Sequence, residues 1–166
     1  MTTPIDVLLY EAAKDNDLNQ IQFILDTYSD TILPYSPDVA YWIASKYGNK
    51  FIIEYLNQHV TDFNWHDNEY DETPLITAVK NKHYDTIELL LKNKNTLINY
   101  VCQVDNEKTA LNFAIDQWLE DKNNYLNKRI VFLLIRYDAQ RALWTRTMPI
   151  PIDLFEYPPL PLSDEE

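Results

Sequence analysis

Thr73-Pro74-Leu75-Ile76-Thr77-Ala78-Val79, then Lys80-Asn81-Lys82-His83, then Ile87-Glu88-Leu89-Leu90-Leu91, is the stretch on which the fold turns. Leu75, Ala78 and Val79 form an apolar stripe at i, i+3, i+4, and Ile87, Leu90 and Leu91 form a second with the same spacing. Such spacing puts apolar side chains on one side of a helix with 3.6 residues per turn, so two short amphipathic helices joined by a polar turn are predicted. Thr73 and Pro74 start the first helix. The threonine hydroxyl can accept from an otherwise unbonded N–H, and proline's missing N–H costs nothing at the first helical position. One helix pair leaves an apolar face uncovered, so a neighbour must supply the other side.

Neighbours are present on both sides. Downstream, Thr109-Ala110-Leu111-Asn112-Phe113-Ala114-Ile115 opens a copy that closes on Ile130-Val131-Phe132-Leu133-Leu134. Upstream, Tyr41-Trp42-Ile43-Ala44-Ser45, Gly48-Asn49 and Ile52-Ile53-Glu54-Tyr55-Leu56 make another. Leu9-Tyr10-Glu11-Ala12-Ala13, Asn16-Asp17 and Ile21-Gln22-Phe23-Ile24-Leu25 make the first. Aligned on Leu9, Tyr41, Leu75 and Leu111, the spacings are 32, 34 and 36 residues. Alanines at 13, 44, 78 and 114 let helices approach closely. Thr3, Pro4 and Asp6 repeat the start signal, with Asp6 placed to complete a capping box, and Ser36-Pro37 offers a start for the second unit. Thr109 caps the fourth. The expected architecture is an all-α solenoid of about four helix pairs over residues 1–147. A Pro-rich acidic tail follows over 148–166. Its five prolines between Pro149 and Leu162 exclude a helix, and extended packing on the last repeat is expected, in preference to a free Pro158–Pro161 motif for an SH3-like domain.

The pattern resembles the ankyrin repeat. Thr73-Pro74-Leu75, Ala78 and His83 stand where that family has its Thr-Pro-Leu-His, alanine and Gly-His positions, which gives His83 a structural role. Asp62-Phe63-Asn64 resembles the Asp-Val-Asn that leads into the family's projecting turn, and the resemblance covers roughly residues 5 to 140. Three departures stand out. Asn16 and Lys82 occupy positions where a helix end wants positive φ. Lysine pays about 1 kcal/mol there, so wider or irregular turns are expected. Val39-Ala40-Tyr41 replaces Thr-Pro-Leu in the second unit. From Ala78 to Ile87 is 9 residues, but from Ala114 to Ile130 is 16. Seven extra residues are about two helical turns, which keeps the buried face, so lengthened helices are expected around Glu120-Asp121-Lys122-Asn123-Asn124.

Composition narrows the function. The chain has 166 residues, enough for one domain, and at 46% hydrophobic it is too apolar for a disordered segment. Its longest apolar run, Ile130 to Ile135, is far below the roughly 18 residues of a membrane span. The start, Met-Thr-Thr-Pro-Ile-Asp, has no secretory signal, so a cytoplasmic protein is expected, with signal-independent export into a host cell compatible. Cys102, the lone cysteine, fits a reducing compartment. With Gly48 as the single glycine there is no phosphate-cradling loop. His59, His66, His83 and Cys102 have no metal-ligand spacing, and the acids lie in turns, not in a pocket that would tune their pKa. No metal, no cofactor and no catalytic residue is expected. The formal charge of −12, from 26 acids against 14 bases, repels nucleic acid and attracts a basic protein.

One segment concentrates that charge. No Lys or Arg lies between Lys50 and Lys80, while Glu54, Asp62, Asp67, Glu69, Asp71 and Glu72 accumulate with Trp65, His66 and Tyr70 among them. Aromatics beside charges in a projecting turn are the composition of interface hot spots. The resemblance implies a concave binding face of projecting turns and first helices. The matching positions are Trp65, His66, Asn68, Glu69, Tyr70 and Glu72 in one finger, and Asn106, Glu107 and Lys108 in the next. Lys46, Tyr47, Lys80, Asn81, Asp116 and Gln117 complete it from the helices. Trp65 either projects or packs on the stack. The expected function is therefore a non-enzymatic, monomeric protein-binding module, complete in itself. An inhibitor or immunity-type protein that neutralises a basic partner is the preferred form, and a scaffold or translocated effector binding host proteins is the alternative.

Overall fold

A computed structural model describes residues 4–67 and 69–137. They form α1 (Pro4–Asp15), α2 (Leu18–Tyr28), α3 (Ser36–Tyr47), α4 (Lys50–Leu56), α5 (Pro74–Lys80), α6 (Tyr84–Lys92), α7 (Ala110–Glu120) and α8 (Tyr125–Arg136). Consecutive helices pair, and the pairs stack: α1, α3, α5 and α7 pack in series, as do α2, α4, α6 and α8. Among the described helices no packing of comparable extent skips a repeat. The four aligned positions all fall in the core, with Leu9, Tyr41, Leu75 and Leu111 exposed by 0, 1, 1 and 2%. Thr3 and the tail from 148 to 166 lie outside the described residues.

The turn between the helices of a pair is conserved in geometry although its glycine is not. Asp17, Asn49 and His83 donate their N–H five residues back, to Ala12, Ala44 and Ala78 at 3.0, 2.9 and 3.1 Å. That six-to-one bond is the Schellman closure, and it requires a left-handed residue just before the donor. Asn16 (φ 59°), Gly48 (φ 76°) and Lys82 (φ 61°) take that place. The wider turns expected at Asn16 and Lys82 are therefore not formed; the closing bond holds even lysine in the strained region. The same bond shows that Ala12, not Ala13, is the first-repeat equivalent of Ala44 and Ala78, although both are buried.

Helix starts divide into two kinds. Thr73 accepts from the Ile76 N–H, and Thr109 forms a reciprocal capping box with Asn112, as their local spacing predicts. α1 and α3 begin five residues before Leu9 and Tyr41, whereas α5 and α7 begin one residue before Leu75 and Leu111. The extra turn buries an aspartate in each early repeat. Asp6 is fully buried and accepts from the Leu33 N–H (3.0 Å) and the Ser36 hydroxyl (2.6 Å), so it staples repeat one to repeat two. Its part in a capping box with Thr3 falls on a residue outside the described ones, and Ser36 spends its hydroxyl on Asp6 instead of capping α3. Asp38 does the same one repeat on, accepting from the Thr61 N–H and hydroxyl, both at 2.8 Å. Charge-assisted bonds of this kind offset the desolvation of a buried carboxylate.

The extra length of the fourth repeat goes into helix, as expected. α7 runs six residues past Ala114 where α5 runs two past Ala78, and α8 starts five residues before Ile130 where α6 starts three before Ile87. The linking turn, 121–124, is one residue longer than 81–83.

Candidate binding face

Two fingers project from the stack, and the first is more tied down than its charge suggests. Asp67 Oδ1 accepts from the N–H groups of both Glu69 and Tyr70 at 2.8 Å, which folds the tip. Asp71, at φ 54°, turns its carboxylate toward the next repeat. There it accepts from the Tyr100 hydroxyl and from the Gln103 N–H (2.6 Å), with His66 Nε2 3.4 Å away. Burial and the Asp71 carboxylate push the Tyr100 hydroxyl up to about 12. Glu72 pairs with Lys80 at 2.5 Å, and its carbonyl accepts from Trp42 Nε1 at 2.7 Å. The side chains of Asp71 and Glu72 are only 13 and 12% exposed, so these two acids are not the solvated charges that their sequence neighbours suggest.

The aromatics divide likewise. Trp65 is half-buried, edge-on to Trp42 with ring centroids 6.0 Å apart, and His66 lies against Tyr100 at 5.3 Å. Both buttress the finger. Tyr70 is 47% exposed beside exposed Glu69, whose carboxylate raises the tyrosine hydroxyl above its ordinary value. These two form the tip; Asn68 lies outside the described residues. Cys102 is buried behind them with its thiol on the Tyr70 carbonyl (3.4 Å), and burial pushes that thiol up.

The second finger is a short hairpin. Cys102 and Lys108 form an antiparallel bridge, and the Lys108 N–H closes on the Asp105 carbonyl at 3.3 Å. Asn106 (φ 54°) and Glu107 (φ 56°) are its exposed corner, both left-handed as a type I′ turn demands. Lys80 joins the two fingers: beyond Glu72 it reaches Asp105 at 3.6 Å. Lys108 in turn meets Asp105 at 3.6 Å and Asp116 at 3.2 Å, giving an alternating chain Glu72–Lys80–Asp105–Lys108–Asp116. Burial alone would lower both ammonium pKa values, but the paired carboxylates raise them. Both ammonium groups lie over the Phe113 ring, at 4.9 and 5.4 Å. Together with Gln117, Leu119 and Glu120 they line an open groove of about 590 Å³.

Gln117, a predicted position, serves the stack in the same way as Asn49 and the structural His83. Asn49 Nδ2 donates to the Ala13 carbonyl (2.7 Å), His83 Nε2 to that of Lys46 (3.0 Å) and Gln117 Nε2 to that of Lys80 (2.8 Å). Each satisfies a C-terminal carbonyl of the preceding repeat's first helix, which lacks an intrahelical donor. Exposed Asn81 folds its amide back onto the Thr77 carbonyl (2.8 Å). Tyr47 stays 44% exposed, with the Lys14 ammonium 5.8 Å from its ring centroid. Sequence reasoning passed over Phe113, Leu119 and Glu120, although the seven-residue excess that extends α7 was countable.

Comparison with known proteins agrees with the geometry. The family model described as ankyrin repeats (3 copies) matches residues 9–100 and 42–142. The ankyrin repeat and KH domain-containing protein mask-1 of Caenorhabditis elegans is 32% identical over 142 residues, covering 86% of this chain and 5% of that protein. Alpha-latrotoxin-Lg1a of Latrodectus geometricus is 31% identical over 86 residues, covering 52% of this chain and 6% of the toxin. The chain thus spans 5–6% of the length of these curated relatives. No helix among the described residues is long and apolar enough to cross a membrane. Four stacked helix pairs, three Schellman turns and the matched spans together place this chain in the ankyrin-repeat family, whose repeats bind other proteins.

Proposed function

We propose that the chain binds a basic protein through its fingers and acts by occupancy, with Tyr70 and Glu69 as first contacts. The observation that carries this reading is the construction of the first fingertip. Asp67, Asp71 and Glu72 are committed to holding the finger, while Glu69 and Tyr70 are left exposed on a turn pinned by two N–H bonds. An aromatic on a preorganised turn loses little entropy when it is covered, which is the economy of a hot spot. The net charge of −12 supports a basic partner. The inhibitor or immunity-type role is the case in which the covered basic surface is the partner's working surface. A partner whose own activity survives binding would instead favour a scaffold.

The test is kinetic. A partner captured from the native source is identified by mass spectrometry, and its binding is measured for Glu69→Lys and Tyr70→Ala across a salt series. Glu69→Lys should slow association, and more so at low salt, because exposed charges act over roughly 8–10 Å at physiological ionic strength. Tyr70→Ala should raise the off-rate about tenfold, the loss of about 1.4 kcal/mol. Unchanged affinity in both variants moves the interface off this finger.

A further inference from the structure

The lengthened fourth repeat builds one wall of the groove. α5 ends at Lys80, the equivalent of Asp116, whereas α7 continues through Trp118, Leu119 and Glu120. Trp118 turns into the core at 3% exposure, which leaves Leu119 (45% exposed) and exposed Glu120 along the groove. Asp116 and Glu120 are four residues apart on α7 and so share a face. The groove's cations are already matched: Lys80 lies between Glu72 and Asp105, and Lys108 between Asp105 and Asp116. Glu120 has no ion-pair partner among the described residues. It also ends a helix whose last turn holds no base, so its charge is opposite in sign to what the helix dipole favours there. An incoming cation would meet Glu120, Asp116 and the negative end of α7 together. An incoming anion would meet the same carboxylates and lysines that are already paired.

We propose that this groove holds an arginine or lysine side chain of the bound protein, its charge against Asp116 and Glu120 and an adjoining apolar side chain on Leu119. The inference rests on the protein-binding reading and adds the chemistry of a second pocket, apart from the Tyr70 tip. It is tested by panning the full chain against phage-displayed random dodecapeptides, then measuring the selected peptides on wild type, Glu120→Gln, Leu119→Ala and Tyr70→Ala. Both groove substitutions fall on exposed side chains, so thermal melting should match wild type and keep loss of binding distinct from loss of fold. The expected peptides carry Arg or Lys next to an apolar residue. They should weaken about fivefold in Glu120→Gln and about threefold in Leu119→Ala, and change little in Tyr70→Ala. Peptides rich in Asp or Glu, or unmoved by Glu120→Gln, overturn the proposal, as does a panning that enriches nothing. Peptides lost in Tyr70→Ala alone overturn the groove while leaving the fingertip reading in place.

Discussion

Asn16, Gly48 and Lys82 hold the same place in three successive repeats, the left-handed residue before a six-to-one bond onto Ala12, Ala44 and Ala78. Gly48 and Lys82 should nevertheless respond to mutation with opposite signs. A Cβ on Gly48 would lie 2.6 Å from His83 Nδ1 and 2.7 Å from Cγ, and that ring is fixed by its bond to the Lys46 carbonyl. Gly48→Ala therefore adds a steric conflict between repeats to the left-handed backbone cost, and should lose at least about 1–2 kcal/mol. Lys82 already bears that cost. Lys82→Gly should gain about 0.5–1 kcal/mol, the relief of backbone strain less the added freedom of the unfolded chain. Urea denaturation of both variants checks the pair, and a stability loss in Lys82→Gly would mean that its side chain contributes more than its backbone costs.

Between elements, the aspartate staples carry the stacking of the first repeats. Asp38 is 2% exposed and both its oxygens are used, one on the Thr61 N–H and one on the Thr61 hydroxyl. Asp38→Ala should cost about 2–3 kcal/mol, because a buried N–H and hydroxyl lose their acceptor, while Asp38→Asn should recover part of it by keeping one acceptor oxygen. Equal melting temperatures for the two variants would show that charge, not geometry, holds the joint. These staples also mark where the sequence stops being legible. The helix pairs, the Thr73 and Thr109 caps and the lengthened α7 were readable because their determinants lie within a few residues of one another. Asp6 was legible only as a local cap, because the partners that make it a staple are 27 and 30 residues away. Asp71 read as a solvated acid for the same reason, since Tyr100 and Gln103 lie 29 and 32 residues ahead. The first finger stood out because composition alone flags a charged aromatic turn, but nothing local separated exposed Tyr70 from half-buried Trp65. Of the groove, Lys80, Lys108, Asp116 and Gln117 were among the positions the repeat pattern implies, but Phe113, Leu119 and Glu120 were not, because only the stack assigns the faces they lie on.

At the scale of the described stack, the extensive helix packing runs within repeats and between neighbouring ones, so stability should behave as a chain of local terms and shared interfaces. Ala12 and Ala78 are equivalent within their repeats and both are buried, at 5 and 0% exposure. Their surroundings differ: α1 stacks on α3 alone, whereas α5 is held between α3 and α7. An aspartate at either position buries a charge where no partner is placed, at a cost of several kcal/mol against a total of about 5–15. In Ala78→Asp that cost falls on two interfaces, which leaves two isolated pairs on one side and one on the other, too few to close a core. The whole array should unfold. In Ala12→Asp the first pair can detach while α3 to α8 keep every interface they share, so native-state hydrogen exchange should show fast amides in α1 and α2 and near-normal protection in α5 to α8. Uniform loss of protection from Ala12→Asp would mean that the interfaces outweigh the repeats so far that no end can fray. The stack would then fold as one cooperative unit in spite of its linear packing.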